Sequence, residues 1–313
     1  MAFLEFLASI RNPILNVIMQ GITFLGQETI FMVIAITLFW CVSKKYGYYI
    51  LITGFFGTSI SQFLKFVFRI PRPWVQDPEF KIVESARKEA TGYSFPSGHT
   101  CNAVGTYGGI ARFTKKNWIR WVCIALALLI PFSRMYLGVH TLLDVGVAFG
   151  ISLVLLFVLF PILDKSDENP KIMYILSAVM IAVALAYVCY VNFCLSPDEF
   201  DAENLRDNYI PGVENGWKLF GALLAMPIMF TIDRKKLHFD VKAPLLGQIL
   251  KVALGLVCVL AIKEGLKAGF GAIFSEPPFF CHAARYFAVV LFAGAVWPLT
   301  FPLFQKLGKK KDT

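Results

Sequence analysis

Long apolar runs constrain this 313-residue chain more than any other feature of it. They extend for about 17–25 residues, the length an α-helix needs to cross roughly 30 Å of hydrocarbon. A chain built this way is a multi-pass membrane protein, and the fold class expected is all-α, a polytopic membrane helical bundle. The composition agrees: 57% of the residues are hydrophobic, against about 45–50% for an ordinary soluble domain, and the mean hydropathy is +0.63. The first residues lack a basic region and a small-residue cleavage site, so the first apolar segment is expected to stay in the mature protein.

Spans are expected at about 28–43, 46–66, 98–114, 118–136, 140–162, 172–193, 215–231, 245–267 and 283–304. Residues 1–24 read as a helix interrupted at Arg11-Asn12-Pro13, lying in the interface or crossing obliquely. No internal repeat is evident. The net charge of +9 would favour nucleic acid in a soluble protein. Here the basic residues sit in short loops between apolar runs, so they read as topology signals, with the lipid bilayer and not nucleic acid as the partner. If the nine spans alternate, Lys44-Lys45, then Arg112, Lys115, Lys116 and Arg120, then Arg234, Lys235, Lys236 and Lys242, and finally Lys306, Lys309, Lys310 and Lys311 share one face. That face is cytoplasmic by the positive-inside rule, and so is the C-terminus. The opposite face carries the 67–97 loop and the acidic group Asp198, Glu199, Asp201, Glu203, Asp207 and Glu214. Lys65, Arg69, Arg72 and Arg134 are the cations on that face which topology does not account for. Charges near helix ends in a membrane are costly unless they are paired, functional or able to snorkel.

The seven cysteines are scattered, with no CxxC or Cys/His spacing. They read as small core residues. Cys194 and Cys281, both expected on the outer side, read as unpaired thiols rather than a disulfide.

His140 and Asp144 are four apart at the start of a span and share one helical face. A carboxylate there accepts the proton of one ring nitrogen and leaves the other free to attack. Alone, such a pair is more often a satisfied structural contact, and neighbouring motifs have to decide. Pro96-Ser97-Gly98-His99 opens the 98–114 span. Ser97 suits an N-cap, Gly98 lets an anion approach the backbone, and a helix N-terminus attracts negative charge. His99 lies in the first turn, placed to protonate a departing oxygen. Lys65 and Arg72 end one span and Arg134 ends another. Read alone they are interface anchors or a phosphate cradle, since guanidinium forks bind phosphoryl oxygens bidentately and lysine adds a point charge. Pro71 and Pro73 stiffen the turn around Arg72.

This pattern resembles the type 2 phosphatidic acid phosphatase superfamily, which includes lipid phosphate phosphatases, glucose-6-phosphatase and the vanadium haloperoxidases. The signature is a lysine, six residues, then Arg-Pro; Pro-Ser-Gly-His; and Ser-Arg, five residues, His, three residues, Asp. Here it stands complete as Lys65–Arg72-Pro73, Pro96–His99 and Ser133-Arg134–His140–Asp144. The resemblance covers roughly residues 1–165. It implies a catalytic helical core there and a phosphohistidine intermediate. His140 would be the nucleophile, Asp144 its orienter and His99 the general acid and then base. Lys65, Arg72, Arg134, Ser97 and the Gly98 amide would hold the phosphate. No metal or other cofactor is implied.

Residues 166–313 add four further transmembrane spans outside the signature. Lys263, Glu264, Lys267, His282 and Arg285 lie within or near the outer ends of the last two. In the plainer reading Lys263 and Glu264 make polar contacts within the bundle and the others reach headgroups. In the sharper one Lys263 and Arg285 form a possible substrate wall. The 74–95 loop is long enough for a short amphipathic lid.

The function expected is a metal-independent membrane phosphatase acting at the extracytoplasmic face of the cell membrane. Its substrate would be a membrane lipid phosphate or an isoprenoid diphosphate, the latter favoured slightly because such carriers are expected to be recycled on that face. A sugar-phosphate phosphatase of the glucose-6-phosphatase kind is the alternative enzyme. A non-catalytic lipid-binding or transport protein is the alternative class, against which the three catalytic side chains argue, since binding needs only the cations. The sequence sets neither the lipid nor the oligomeric state.

Overall fold

The computed structural model describes residues 1–307; Lys309, Lys310 and Lys311 of the basic tail lie outside the described residues. Helices account for nearly all the regular structure, and no strand occurs among the described residues. The chain opens with α1 (Ala2–Ser9) and α2 (Pro13–Phe24). The interruption read at Arg11-Asn12-Pro13 is a true break. Asn12 caps α2 by accepting from the Leu15 amide at 3.0 Å, and Pro13 occupies the first helical position, where its missing N–H costs nothing. There follow α3 (Glu28–Cys41) and α4 (Lys44–Phe68).

A further helix, α5, runs as Gly98–Ala103, a π turn Val104–Gly108 and Gly109–Phe113. After it come α6 (Asn117–Tyr136), α7 (Leu142–Asp164) and α8 (Lys171–Cys189). The last three are α9 (Ile210–Ile232), α10 (Leu245–Ile273) and α11 (Phe280–Leu291).

Among the described residues seven helical segments are long and apolar enough to cross a membrane: Lys44–Gln76, Asn117–Tyr136, Leu142–Asp164, Lys171–Cys194, Ala202–Leu237, Leu245–Ile273 and Phe280–Gln305. The pair α2 and α3, bent by 46°, meets the same test together. The chain is thus a polytopic all-α membrane protein. The segment expected to span at 98–114 is a helix but a short one, and is not among the seven. At 1.5 Å per residue it reaches only about 24 Å. Its residues from Thr100 to Tyr107 are buried, so protein rather than lipid surrounds it.

The chain forms two compact units. One comprises 1–34, 49–164 and 189–213; the other comprises 35–48, 165–188 and the chain from 214 onward. The first unit is held at close range through glycines of α5. A Cβ added at Gly108 would meet Leu156 of α7 at 2.7 Å, and one at Gly109 would meet Ile50 of α4 at 2.4 Å. Small residues let membrane helices approach this closely, where dispersion and not water exclusion holds them. Tyr49 of α4 donates its hydroxyl to the Leu156 carbonyl at 3.0 Å, and Tyr107 of α5 donates to the Leu25 carbonyl at 2.9 Å.

The second unit is tied by buried and half-buried polar contacts. Lys44 pairs with Asp233 at 2.8 Å. The Lys251 ammonium donates to the Trp40 carbonyl at 2.8 Å and the Val241 carbonyl at 3.0 Å. The Trp40 indole donates to the Ala293 carbonyl at 2.9 Å. The seven cysteines are all free thiols, Cys194 exposed and Cys281 buried.

Candidate active site

All eight signature residues that the sequence singled out as catalytic or phosphate-binding lie in the first unit, and the structure gathers them. The gathering is built from four chain segments. Lys65 sits in the last turn of α4, which stops at Arg69 in left-handed conformation (φ 47°) just ahead of Pro71. Proline has no N–H to continue a helix, and the residue before it avoids helical backbone. The chain therefore extends through Arg72. The Ser94 amide then donates to the Ile70 carbonyl at 2.8 Å, which lays the far end of the 74–97 loop beside this turn. The Ser97 amide donates to the Asp144 carbonyl at 3.1 Å, joining the start of α5 to the first turn of α7. Finally α6 ends after Arg134, and Gly138, at φ 83°, turns the chain back so that Val139 and His140 face Arg72.

The geometry around His140 assigns its tautomer. Its Nδ1 lies 3.5 Å from Asp144 Oδ2, and its Nε2 lies 2.9 Å from Arg72 Nη1. A guanidinium only donates, so Nε2 carries the lone pair and Nδ1 the proton. Asp144 is itself held: its Oδ2 accepts from Ser94 Oγ at 2.5 Å and from the Thr141 amide at 2.7 Å. His140 stands in the short connection between α6 and α7, outside both spans. Burial foremost, and then the adjacent Arg72, hold it well below the ordinary imidazole range, against the pull of Asp144. The ring is neutral at pH 7.

The cations are buried and directed inward. Arg72 places three further N–H donors on the Gly92, Thr91 and Val139 carbonyls at 2.8, 2.7 and 3.0 Å. The Lys65 ammonium donates to the Tyr93 carbonyl. Arg134 is fully buried and reaches Thr23 Oγ1 at 3.0 Å, while its Nε and Nη2 have no partner among the described residues. His99 Nε2 is likewise buried without a partner. Ser97 Oγ caps α5, accepting from the Thr100 amide at 3.4 Å and the Thr100 hydroxyl at 3.0 Å. At Gly98 an added Cβ would meet nothing within 4 Å, so open space lies over the helix N-terminus.

Charge accounting explains what this cluster wants. Among the described residues of the first unit, three cations are buried, Lys65, Arg72 and Arg134, against one buried carboxylate, Asp144. Uncompensated buried charge is expensive by several kcal/mol per ion. A surplus of two positive charges with unpartnered N–H donors is a site for a dianion, and a phosphate monoester at neutral pH carries about −1.5 to −2. Among the described residues no group of three or more His, Cys, Asp or Glu side chains is placed to hold a metal ion.

Four contributors escaped the sequence reading. Ser94 and the Thr141 amide hold Asp144, Thr23 holds Arg134, and the carbonyls of residues 91–93 hold Arg72 and Lys65. Two left a trace. Thr141 directly precedes an apolar run, as a helix cap does, and Thr23 is a polar residue inside an apolar helix. The 74–95 loop, read as room for an amphipathic lid, forms a 3-10 turn at Glu84–Glu89 and buries Phe80, Ile82, Ala86 and Ala90. Lys263 and Arg285 belong to the second unit, where both line one cavity.

Comparison with known proteins identifies the family. The family model described as PAP2 superfamily matches residues 42–168, and that described as PAP2 superfamily phosphatase, transmembrane extension, matches 217–310. The chain is 30% identical over 163 residues to phosphatidylglycerophosphatase B of Bacillus subtilis, covering 47% of this chain and 75% of that protein. It is 30% identical over 122 residues to undecaprenyl-diphosphatase BcrC of the same organism, covering 39% and 60%. It is 24% identical over 275 residues to sphingosine-1-phosphate phosphatase 1 of Rattus norvegicus, covering 83% and 62%. No solved structure matches. With the signature complete, its side chains gathered and a relative matched over three quarters of its length, the chain belongs to the PAP2 superfamily and is a polytopic membrane phosphatase.

Proposed function

We propose that this phosphatase hydrolyses a phosphate or diphosphate carried by a membrane lipid, through a phosphohistidine on His140, at the extracytoplasmic face. The observation that carries the reading is the one buried, neutral imidazole oriented by Asp144 and faced by a surplus of two positive charges.

In the first half-reaction the lone pair of His140 Nε2 attacks phosphorus and the bond to the leaving oxygen breaks. Arg72 transfers its N–H from the imidazole to a phosphoryl oxygen. Arg134, with two free donor positions, takes a second oxygen, and Lys65, Ser97 and the Gly98 amide complete the cradle. Preorganised donors of this kind stabilise the charge spread over the equatorial oxygens. His99, protonated in the complex because the phosphate dianion offsets the surrounding cations, gives that proton to the departing alcohol or phosphate. In the second half-reaction His99 takes a proton from water, which displaces the histidine and restores neutral His140. No step calls on a metal. In this reading residues 1–165 carry catalysis and 166–313 are a transmembrane extension.

The lipid substrate is supported by the relatives, whose names carry phosphatidylglycerophosphate, undecaprenyl diphosphate and sphingosine 1-phosphate. The face is supported by the clustering of loop lysines and arginines on the opposite side, an alternation in which α5 carries the chain across between the 67–97 loop and Lys115. The test is phosphate release by the detergent-purified chain, with a chelator present, across short-chain lipid phosphates, isoprenoid diphosphates and glucose 6-phosphate. Lipid substrates turn over, glucose 6-phosphate lags well behind, and His140→Ala loses at least about 10³-fold. A strict need for added divalent metal, or preference for the sugar phosphate, overturns the reading.

A further inference from the structure

The second unit contains a cavity of about 440 Å³ whose lining includes Lys218, Lys263, Lys267 and Arg285 beside Glu214 and Glu264. Three helices make it. Glu214 and Lys218 stand one turn apart on α9, Lys263 and Lys267 one turn apart on α10, and His282 and Arg285 on the first turns of α11. The helices are brought together by a close approach: a Cβ added at Gly221 of α9 would lie 2.0 Å from the Ala283 carbonyl of α11.

The charges do not cancel. Lys218 is spent on Glu214 at 2.9 Å and Lys263 on Glu264 at 3.3 Å. Lys267 and Arg285 are left in surplus. Lys267 is exposed at the rim. Arg285 is only 7% exposed. One of its nitrogens, Nη2, lies 3.2 Å from His282 Nδ1, and its Nε is buried with no partner among the described residues. Glu214 lies within electrostatic reach of Arg285 but at no ion-pair distance from it, and a buried arginine in a membrane helix that lacks a direct ion pair is costly. A guanidinium with an unspent donor, facing a cavity with a lysine at its mouth, suits an oxyanion. Phe270, Phe279 and Tyr286 complete the lining and give an acyl or glycerol portion an apolar wall.

We propose that this cavity is a second anion site, which binds the phosphate group of an anionic lipid through Arg285 and Lys267 and hydrolyses nothing. Among the described residues the imidazole in its lining, His282, bonds to Arg285 at 3.2 Å and to no carboxylate, so the bound lipid is a resident ligand and not a substrate. The proposal stands on the second unit alone and is independent of the phosphohistidine reading.

The test is calorimetric titration of the full-length protein in detergent with three probes: dihexanoylphosphatidylglycerol, dihexanoylphosphatidylcholine and inorganic phosphate. The glycerol lipid is a diester, so monoester hydrolysis does not consume it. It binds at least tenfold more tightly than the choline lipid, Arg285→Gln weakens it at least tenfold, and Arg285→Lys retains most of the affinity. Lys267→Gln, at an exposed position that folding does not depend on, weakens it about threefold and keeps the test decisive if Arg285→Gln does not fold. Inorganic phosphate binding as tightly as the glycerol lipid, with the same loss in both glutamine variants, supports the anion site and identifies free phosphate as its source. Equal affinity for the two lipids together with no response of any probe to Lys267→Gln or Arg285→Gln overturns it.

Discussion

At the scale of the residue, the site is an imidazole kept neutral and aimed. Its environment works against protonation: burial, with Arg72 at 2.9 Å, holds His140 below its ordinary value. The folded protein therefore binds fewer protons than the unfolded chain as pH falls through about 6.5, the ordinary value of histidine. Stability drops on that side, and the attacking form of the ring persists below pH 6.5. We expect the acid limb of kcat/KM to fall below pH 6.5; a limb at or above that value contradicts a neutral buried nucleophile. Asp144→Asn keeps the shape but loses the charge that selects the tautomer, and is expected to lower kcat by about 10²–10⁴-fold with KM little changed. Ser94→Ala removes one of the bonds that hold Asp144 and leaves the Thr141 amide in place. A loss of about tenfold or somewhat more in kcat is expected, since a single hydrogen bond to a charged group contributes about 1.5 kcal/mol or somewhat more. Steady-state kinetics on the two variants distinguish positioning from structure. The signature residues were legible because their types and spacings carry chemistry. Ser94, Thr23 and the carbonyls of 91–93 were not, because any serine, threonine or backbone carbonyl has the same bonding capacity and only the folded loop selects these.

At the scale of the element, turns do the assembling. Gly138 adopts φ 83°, and a Cβ there would meet Arg11 Nη2 at 2.8 Å and Phe80 at 3.0 Å. Gly138→Ala is expected to cost about 1–2 kcal/mol from the left-handed backbone alone and to displace the segment that carries His140. Activity should therefore fall more than the thermal midpoint does. Gly109→Leu would wedge α5 from α4, and overpacking at about 1–3 kcal/mol lowers the midpoint with no direct contact to the nucleophile. Thermal unfolding in detergent beside kcat measures both. Most helices could be read from apolar run length. The break at Asn12 was marked by an N-cap followed by proline. The π turn inside α5 left no sequence mark, because its residues are as apolar as those of the regular helices around it. The packing of the 74–97 loop was hidden too: Phe80 and Ile82 are two apolar residues among many charged ones, and their burial depends on contacts with α1 and α6 far away in the chain.

At the scale of the whole molecule, the contacts that join residues 35–48 to the C-terminal half, such as Lys44–Asp233 and Lys251 to the Trp40 carbonyl, are long-range and invisible to any local pattern. The proposed sidedness is testable here. With Cys194 first replaced by serine, Glu89→Cys in the exposed 84–89 turn is expected to react in intact cells with a membrane-impermeant maleimide; reaction only after lysis would put the site on the other face. What the molecule does as a catalyst turns on a single covalent step. The direct measurement is a rapid acid-free quench of the protein with a lipid phosphate labelled at phosphorus, followed by peptide mapping. The account predicts an acid-labile, base-stable label on the peptide bearing His140, formed faster than phosphate is released, longer-lived in His99→Ala and absent in His140→Ala. Label on a serine, or full turnover in His140→Ala, would contradict it.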